Sequence, residues 1–442
     1  MAQQETAARC MLLAGVAMAA LTVGEARAGG FALKEQSAMY QGAAFAGAAA
    51  RADDPATLFF NSAGMTRLPG YQVSVSSSLI MPQSTLQNAN ATTVSGFPVL
   101  GTLGGDIAGD ALLPSIFATA EIGGGWWAGL AITSPFGLTT KYGTDSIARY
   151  YALTSQLRTY NITPSVAYQV LPNLSVSAGL QIEVVNATLS NSVDLGSVGA
   201  SRRIPGYFPG RNDALARLKG DDTAVGWQVG LLYEPIEGTR VGVNYRSSIY
   251  HQLGGSVGFE NVQYPLSLQP NFRGGPATAK LATPGLLGIG FSHDIGPVTL
   301  LAQLDYSFWS SFRTLYIDYP GGPSITDENW RDTYTLSLGA DWRLNDKLTL
   351  RGGVAYDQTP VRNIDRTPRI PDGDRYWLSV GATYKPLPKL AISAAYTHIF
   401  VDNTHIGLVD GGPGTPNYLR GNFSASYNNQ IDIVSVQGTY AF

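Results

Sequence analysis

Cysteine is nearly missing from this chain of 442 residues, which holds one, Cys10. Charge is scarce as well: Asp, Glu, Lys and Arg make up 14%, against about 25% in an ordinary soluble domain. Outside the N-terminus no apolar run approaches the ~18–20 residues that cross a bilayer as a helix. The missing runs exclude a helical membrane protein. The missing charge fits poorly with a soluble enzyme of two or three domains, which the length alone would suggest. A net charge of −3 offers no basic surface for nucleic acid. What is abundant is glycine, 51 residues or about 11.5% where ~7% is usual. Tyrosine (23) outnumbers phenylalanine (16), and there are seven tryptophans.

The lone cysteine falls in a leader. Arg9 precedes an apolar stretch from Met11 to Val23, and Ala26-Arg27-Ala28 supplies a small-residue cleavage site. This is the layout of a secretory signal peptide, whose apolar core is too short to span. An anchor helix is the alternative; a lipoprotein fits less well, because Cys10 precedes the apolar core. The mature chain is expected to begin at Gly29. Cleavage removes Glu5, Arg9, Glu25 and Arg27, so the net charge stays −3, and no cysteine remains. An exported protein without disulfides needs another source of cohesion.

That source is strand pairing. From Tyr71 onward apolar and small or polar residues alternate with period two. Val225, Trp227, Val229, Leu231 and Tyr233 alternate with Ala224, Gly226, Gln228 and Gly230. Tyr334, Leu336, Leu338, Ala340 and Trp342 form a second such row, and Tyr376, Leu378, Val380, Ala382 and Tyr384 a third. A soluble sandwich would place Lys and Glu on the polar face, yet here it carries mainly Gly, Ser, Thr, Gln and Asn. A transmembrane barrel places the apolar face against lipid, aromatics at both interfaces and polar groups in the lumen. It must close, because hydrocarbon tolerates no free strand edge.

Short turns at 123–125, 172–173, 235–238, 296–297, 345–346 and 386–389 alternate with longer loops. The loops are near 82–111, 137–157, 192–222, 256–281, 319–330, 359–373 and 403–428. These thirteen connections predict an all-β, 14-stranded antiparallel barrel. Its strands are near 71–81, 112–122, 126–136, 158–171, 174–191, 223–235, 239–255, 282–294, 298–318, 331–344, 347–358, 374–385, 390–402 and 429–442. Short connections match periplasmic turns and long ones external loops. The last strand ends on Phe442 with Tyr440, Val436 and Val434 on one face, which looks like an outer-membrane assembly signal.

Residues 29–69 do not alternate. They are rich in Ala and Gly, with Phe31, Leu33, Phe45, Leu58, Phe59 and Phe60 among them. Forty-one residues are too few for an independent core, and a flexible leader would not need these aromatics. A plug inside the barrel explains both, giving a leader at 1–28, a hatch at 29–69 and a barrel at 70–442.

Several collinear motifs carry a family resemblance. Gly30-Phe31-Ala32-Leu33, Glu35-Gln36-Ser37, Ala52-Asp53-Asp54-Pro55-Ala56-Thr57 and Phe60-Asn61-Ser62-Ala63-Gly64-Met65 resemble the N-terminal hatch of FadL-type outer-membrane transporters. That family comprises long-chain fatty acid transporters and aromatic-hydrocarbon relatives. Ser134-Pro135-Phe136-Gly137, Arg149-Tyr150 with Asn161-Ile162-Thr163-Pro164-Ser165, and Ile370-Pro371-Asp372-Gly373-Asp374-Arg375-Tyr376-Trp377-Leu378 extend it over nearly the whole mature chain. It implies a fourteen-stranded barrel and passive uptake of a hydrophobic molecule. Hatch and gating residues would be Phe31, Leu33, Asn61, Ser62, Ala63 and Gly64. A wall kink for lateral exit would fall at Ser134, Pro135, Phe136 and Gly137, since Pro removes a ladder donor and Gly tolerates a bulge. External-loop capture would use Tyr207 and Phe208, with Leu215 and Leu218 on a short helix.

Two departures stand out. The family's hatch usually carries Asn-Pro-Ala where this chain has Asn61-Ser62-Ala63, and serine frees φ there. Fatty-acid-binding members place basic groups near the ligand carboxylate. Here Tyr316 stands where a Lys is sought, and 181–191 contains no Arg or Lys. Neutral hydrocarbons therefore stay open as substrates.

The expected lumen charges are Glu183, Arg240, Arg246, Asp305, Asp341, Arg343, Arg351, Asp357 and Arg375. They are expected chiefly to pair with one another and with the hatch, with Arg246, Arg351 and Arg375 as candidate partners of a carboxylate ligand. Gly254-Gly255-Ser256-Val257-Gly258 matches G-x-S-x-G but lacks the following helix a nucleophile elbow needs. His251, His293, His398 and His405 show no metal-ligand spacing, and no phosphate or dinucleotide loop is present. The reading is of a non-enzymatic monomer in outer-membrane lipid, with no cofactor, no metal and a hydrophobic small-molecule ligand. A general porin and a receptor or adhesin barrel are the alternatives.

Overall fold

The computed structural model describes residues 30–442; the expected leader and its cleavage site lie outside the described residues. Twenty strand segments build fourteen barrel strands, five of them interrupted once and one preceded by a short loop extension. In order these are Tyr71–Thr92; Ala111–Gly123; Trp126–Thr133 with Gly137–Lys141; Thr154–Leu171; Leu174–Val193; and Ala214–Ile236. Thr239–Arg246 with Ile249–Glu260 makes the seventh, Gly275–Thr283 with Leu286–Ile295 the eighth, and Val298–Ser307 with Thr314–Asp318 the ninth. Then come Thr333–Arg343 (preceded by Ser324–Asp327), Leu348–Asp357, Arg375–Leu387, Leu390–Val401 with Thr404–Leu408, and Asn422–Ala441. Every neighbouring pair is antiparallel, and the first strand pairs with the last from Gln72↔Ala441 to Thr92↔Asn422. The barrel is closed.

The apolar row of each strand faces outward, as its alternation predicts. Leu338 is 62% exposed, while its neighbour Ser337 is buried. Aromatic side chains form two belts. Near the long loops, Trp227 and Tyr245 lie 5.3 Å apart, Tyr334 and Tyr356 5.9 Å, and Tyr356 and Tyr376 5.5 Å. Near the short turns Trp126 packs on Tyr168 and Tyr440 on Phe442. From Tyr334 to Trp342 is eight residues, or roughly 26 Å of strand, which matches the apolar band of an outer-membrane barrel.

Several strands run further toward the long loops than alternation indicates. The first reaches Thr92, the sixth begins at Ala214 and the last at Asn422. Beyond the lipid the ladder continues but its outer face meets water, so the apolar signal fades while pairing persists. Four strands expected to be continuous are broken, at 134–136, 247–248, 284–285 and 308–313.

Residues 30–69 fill the lumen. The helix Ala38–Gln41 is capped by Ser37, and a 3-10 helix at Ser62–Arg67 is capped by Asn61, whose Oδ1 accepts the Ala63 N–H. The wall accommodates this plug with glycine. A Cβ on Gly381 would lie 2.7 Å from Gly42 Cα, one on Gly290 2.8 Å from Ala50 N, and one on Gly339 2.9 Å from the Ala43 carbonyl. Part of the glycine excess is thus a close fit between an alanine-rich plug and a side-chain-free wall.

Candidate functional site

The hatch is tied to the wall by polar contacts around its circumference. Ser37 Oγ donates to Gln437 Oε1 (2.7 Å), Ser62 Oγ to Ser177 Oγ (2.8 Å), Thr66 Oγ1 to Ser175 Oγ (2.7 Å) and Asn61 Nδ2 to the Leu231 carbonyl (2.9 Å). Ser62, where the resembled family has proline, therefore makes a hydrogen bond that proline could not make. Gly64 is packed against Ala52 and Thr57, and Ala63 is buried. Several lumen charges are paired: Lys34 with Asp305 at 2.9 Å, Arg51 with Asp341 at 2.5 Å, and Arg351 Nε with Asp341 at 3.2 Å. Below the hatch a polar void opens at the short-turn end, with Arg67, Glu234, Asp294, Arg343 and Lys385 on its surface.

The third strand stops at Thr133 and resumes at Gly137. Pairing to the second strand ends at Ile116↔Ile132, so the wall opens where Ser134, Pro135 and Phe136 turn inward. The N-terminal segment occupies that break as a strand would. Leu33 N–H donates to the Pro135 carbonyl (2.7 Å) and Gly137 N–H to the Phe31 carbonyl (2.8 Å). The Gln36 amide closes the other edge, donating to the Ser134 carbonyl (2.9 Å) and accepting from Ser115 Oγ (2.7 Å). Buried backbone groups need such partners.

Phe31 also caps an apolar cleft. Its ring lies 4.7 Å from Trp309, 5.4 Å from Trp330, 5.8 Å from Phe312 and 5.9 Å from Phe136. The cleft is walled by Leu138, Leu157, Leu218, Leu253, Leu281, Leu315 and Ile370, among others. Phe312 reaches it, and Trp309 packs on Phe31, because the ninth strand breaks into a short 3-10 turn there.

Three charged residues border this cleft: Arg369 and Glu328 from the external loops, and Lys219 from the outer part of the sixth strand. Arg369 donates to the Thr154 carbonyl (3.2 Å), Ser155 Oγ (3.1 Å) and Asn191 Oδ1 (3.2 Å). Among the described residues no carboxylate forms an ion pair with it. Burial and the neighbouring Arg420 pull its guanidinium down to about 10. Glu328 accepts from Trp330 Nε1 (3.1 Å), and burial pushes its carboxyl up to about 7.

The three arginines singled out from the sequence lie elsewhere. Arg351 pairs with Asp341 and Arg375 with Asp372 (2.5 Å). Arg246 stacks on Phe59 and donates to Gln181 and Gln228. None of them lines the cleft. Arg369 escaped sequence reasoning although it adjoins the Ile370-Pro371-Asp372 motif; only the returning loop shows which way it faces.

In the external loop, Tyr207 is buried and its hydroxyl donates to the Gln263 carbonyl (3.0 Å), tying two loops together. Phe208 is 60% exposed. Leu215 and Leu218 are not helical: they belong to the sixth strand, opposite Ser192 and Leu189. The loop's helix is Leu195–Ser201, started by Asp194, which accepts the Ser197 N–H. An N-cap carboxylate outweighs the apolar spacing of Leu215 and Leu218, which a long fifth strand instead recruits as a ladder.

A closed barrel, a lumen plug and a plug-filled wall break agree with the sequence comparison. Residues 19–442 match the profile of the outer membrane protein transport proteins (OMPP1/FadL/TodX). The chain belongs to this family. A putative outer membrane protein of Neisseria meningitidis is 30% identical over 464 residues, covering 98% of each chain. The long-chain fatty acid transport protein of Escherichia coli is 29% identical over 412 residues, 86% of this chain and 89% of that one. Among solved structures, a FadL homologue of Pseudomonas aeruginosa superposes with TM-score 0.85 at 26% identity, covering 93% of this chain and 99% of that one. The Pseudomonas putida toluene transporter TodX shares the fold at TM-score 0.67 and 16% identity, covering 93% and 99%. This family member is an outer-membrane transporter of hydrophobic substrates.

Proposed function

We propose that this transporter takes up long-chain amphiphiles with an anionic head, passively, through a hatch-coupled lateral exit. A molecule collected at the external loops moves into the cleft, where each buried CH₂ contributes ~0.8 kcal/mol. Its head meets Arg369, a half-buried cation on the cleft wall. The tail displaces Phe31. Moving that ring withdraws the Phe31 carbonyl and Leu33 N–H from Gly137 and Pro135, which frees the wall break for exit into the membrane. The polar void beneath the hatch supports a sideways route, because charged groups there would not solvate a hydrocarbon tail. No energy source is required when consumption downstream keeps the gradient.

The observation that carries this reading is the double role of Phe31–Leu33, which fills the cleft and seals the break with one segment. The test is a disulfide between Ala32→Cys and Phe136→Cys, residues that face each other across that seal. The stapled protein is expected to bind ligand yet transport none, with uptake restored by reductant. Undiminished uptake under oxidation would refute the coupling. A neutral hydrocarbon is the second reading, favoured by the mainly apolar lining of the cleft.

A further inference from the structure

The third-strand break is not the barrel's only interruption. Between the sixth and seventh strands the register runs from Leu215↔Glu260 to Asp221↔Gly254, lapses, and resumes at Gln228↔Arg246. Six residues, Asp222 to Trp227, thus face seven, Ser247 to Leu253, over roughly 20 Å of strand. The neighbouring ladder lapses at the same height: seventh and eighth strands pair at Arg246↔Leu286 and again at Ile249↔Thr283, leaving Ser247-Ser248 and Pro284-Gly285 between. Both strands change phase there. Asn244 and Arg246 face inward, but beyond the lapse so do Ile249, His251 and Leu253. Proline cannot donate to a ladder, and an added residue in one strand bends it. The seventh strand leans in far enough that a Cβ on Gly226 would sit 2.7 Å from the Ile249 side chain.

The two sides of this seam are apolar. Val225, Trp227 and Tyr250 are 65%, 51% and 72% exposed on the outer face, at and just beyond the outer aromatic belt. On the inner face Leu253 borders the cleft. Between them stands a polar bridge across five strands. His251 Nε2 lies 3.2 Å from Glu183 Oε1 and its Nδ1 3.1 Å from Asp222 Oδ2. Asn161 Nδ2 and Thr283 Oγ1 donate to Glu183 at 3.1 and 3.0 Å, and Gln252 N–H donates to Asp222 at 3.2 Å. Where the ladder is missing, one backbone bond, from the Ser247 N–H to the Trp227 carbonyl (2.9 Å), and these side chains hold the strands together. Parting them would strand a buried carboxylate, which holds the seam shut at rest.

We propose that this seam is a second lateral port, joining the cleft to the outer leaflet, with Asp222–His251–Glu183 as its latch. A hydrophobic molecule already dissolved in the membrane then reaches the cleft sideways, without passing the external loops. The port's use for cargo rests on the cleft being the ligand site; its opening does not.

The test uses the mature protein, from Gly29 onward, in phospholipid vesicles with Leu253→Cys as reporter. The chain's lone cysteine, Cys10, precedes Gly29, so the mature protein has no competing thiol. Labelling by pyrene maleimide dissolved in the bilayer is compared with labelling by a sulfonated maleimide in the water. Only barrel-folded protein, identified by its heat-modifiable mobility, is scored. Breaking the latch with Asp222→Asn, or independently with His251→Gln, is expected to speed bilayer-side labelling at least tenfold and water-side labelling less than twofold. Unchanged bilayer-side labelling in both variants, or an equal rise with both reagents, overturns the port. Binding of cis-parinarate, followed by energy transfer from tryptophan, separates the two readings. If parinarate fails to bind while labelling stays latch-dependent, the cleft is not the ligand site and the port stands.

Discussion

Replacing Phe31 with alanine sets stability and transport against each other in a measurable way. The ring is 2% exposed and meets Trp309 and Phe312 edge-on at 4.7 and 5.8 Å. Truncating a buried phenylalanine costs about 3–5 kcal/mol, of which each well-placed aromatic pair supplies roughly 0.5–1.5 kcal/mol. In the closed protein that energy holds the N-terminal segment in the wall break. If passage exposes the ring, its loss removes about 3 kcal/mol from the barrier, an acceleration of about a hundredfold. Partial exposure gives less, and tenfold is the expected floor. Phe31 also lines the cleft, so half-saturation should rise severalfold. Uptake of a radiolabelled acyl chain by vesicles with trapped albumin, measured against concentration, reads both parameters. Maximal uptake rising together with half-saturation is expected. Maximal uptake that stays level or falls, in protein whose barrel remains folded, would show that Phe31 is core and not gate.

Three further outcomes follow from the same geometry. Arg369→Gln should weaken binding of a long-chain carboxylate about tenfold or more, since a charged hydrogen bond is worth about 1.5–3 kcal/mol. Toluene binding should hardly change; equal losses for both ligands would remove the carboxylate from the reading. Glu328 titrates near 7 when folded, raised by burial, so the folded state binds its proton more tightly than the unfolded chain. Its contribution is full below pH ~4.5 and lost as pH rises to about 7, on the order of 3 kcal/mol at most. Melting curves between pH 5 and 8 should show a decline that Glu328→Gln abolishes. Gly353→Val would place a Cβ 2.9 Å from Ala43 Cα, and overpacking of this kind costs about 1–3 kcal/mol. Limited proteolysis should then cut between Ala43 and Arg51 in a barrel that still shows heat-modifiable mobility, whereas a protected hatch would contradict the close fit.

Much of this was legible in the chain because lipid imposes a simple rule on a strand. Where one face meets hydrocarbon and the other a polar lumen, residues such as Leu336, Leu338 and Tyr376 must alternate with small or polar ones. The strand count and outward face followed from that rule. Legibility stopped at the lipid boundary. Leu215 and Leu218 read as helical because nothing apolar outside marks the upper sixth strand. The break at Ser134–Phe136 was visible through Pro135. The lapses at Ser247-Ser248 and at Phe308–Arg313 were not, since serine and aromatic residues are ordinary in strands.

The candidate site divides along the same line. Phe31 and Leu33 stood out as large apolar groups in a run of alanine and glycine, and the structure brings them to the wall break. Choosing an arginine for a ligand's head was beyond composition. Arg246, Arg351 and Arg375 share a lumen-facing phase with many paired charges, whereas Arg369 lies in an irregular loop with no phase at all.

What the sequence determined by itself was everything periodic: fourteen strands, their lipid face, the aromatic belts and a small-residue segment needing enclosure. Only the tertiary structure decided which loop reaches over which strand, and hence that Arg369 and Glu328 border the cleft and His251 bridges Glu183 and Asp222. The reason is physical. Alternation is enforced residue by residue through contact with lipid, and so is written locally. A charge in a barrel lumen chooses its partner from elements as much as 290 residues apart, by closure of the whole sheet.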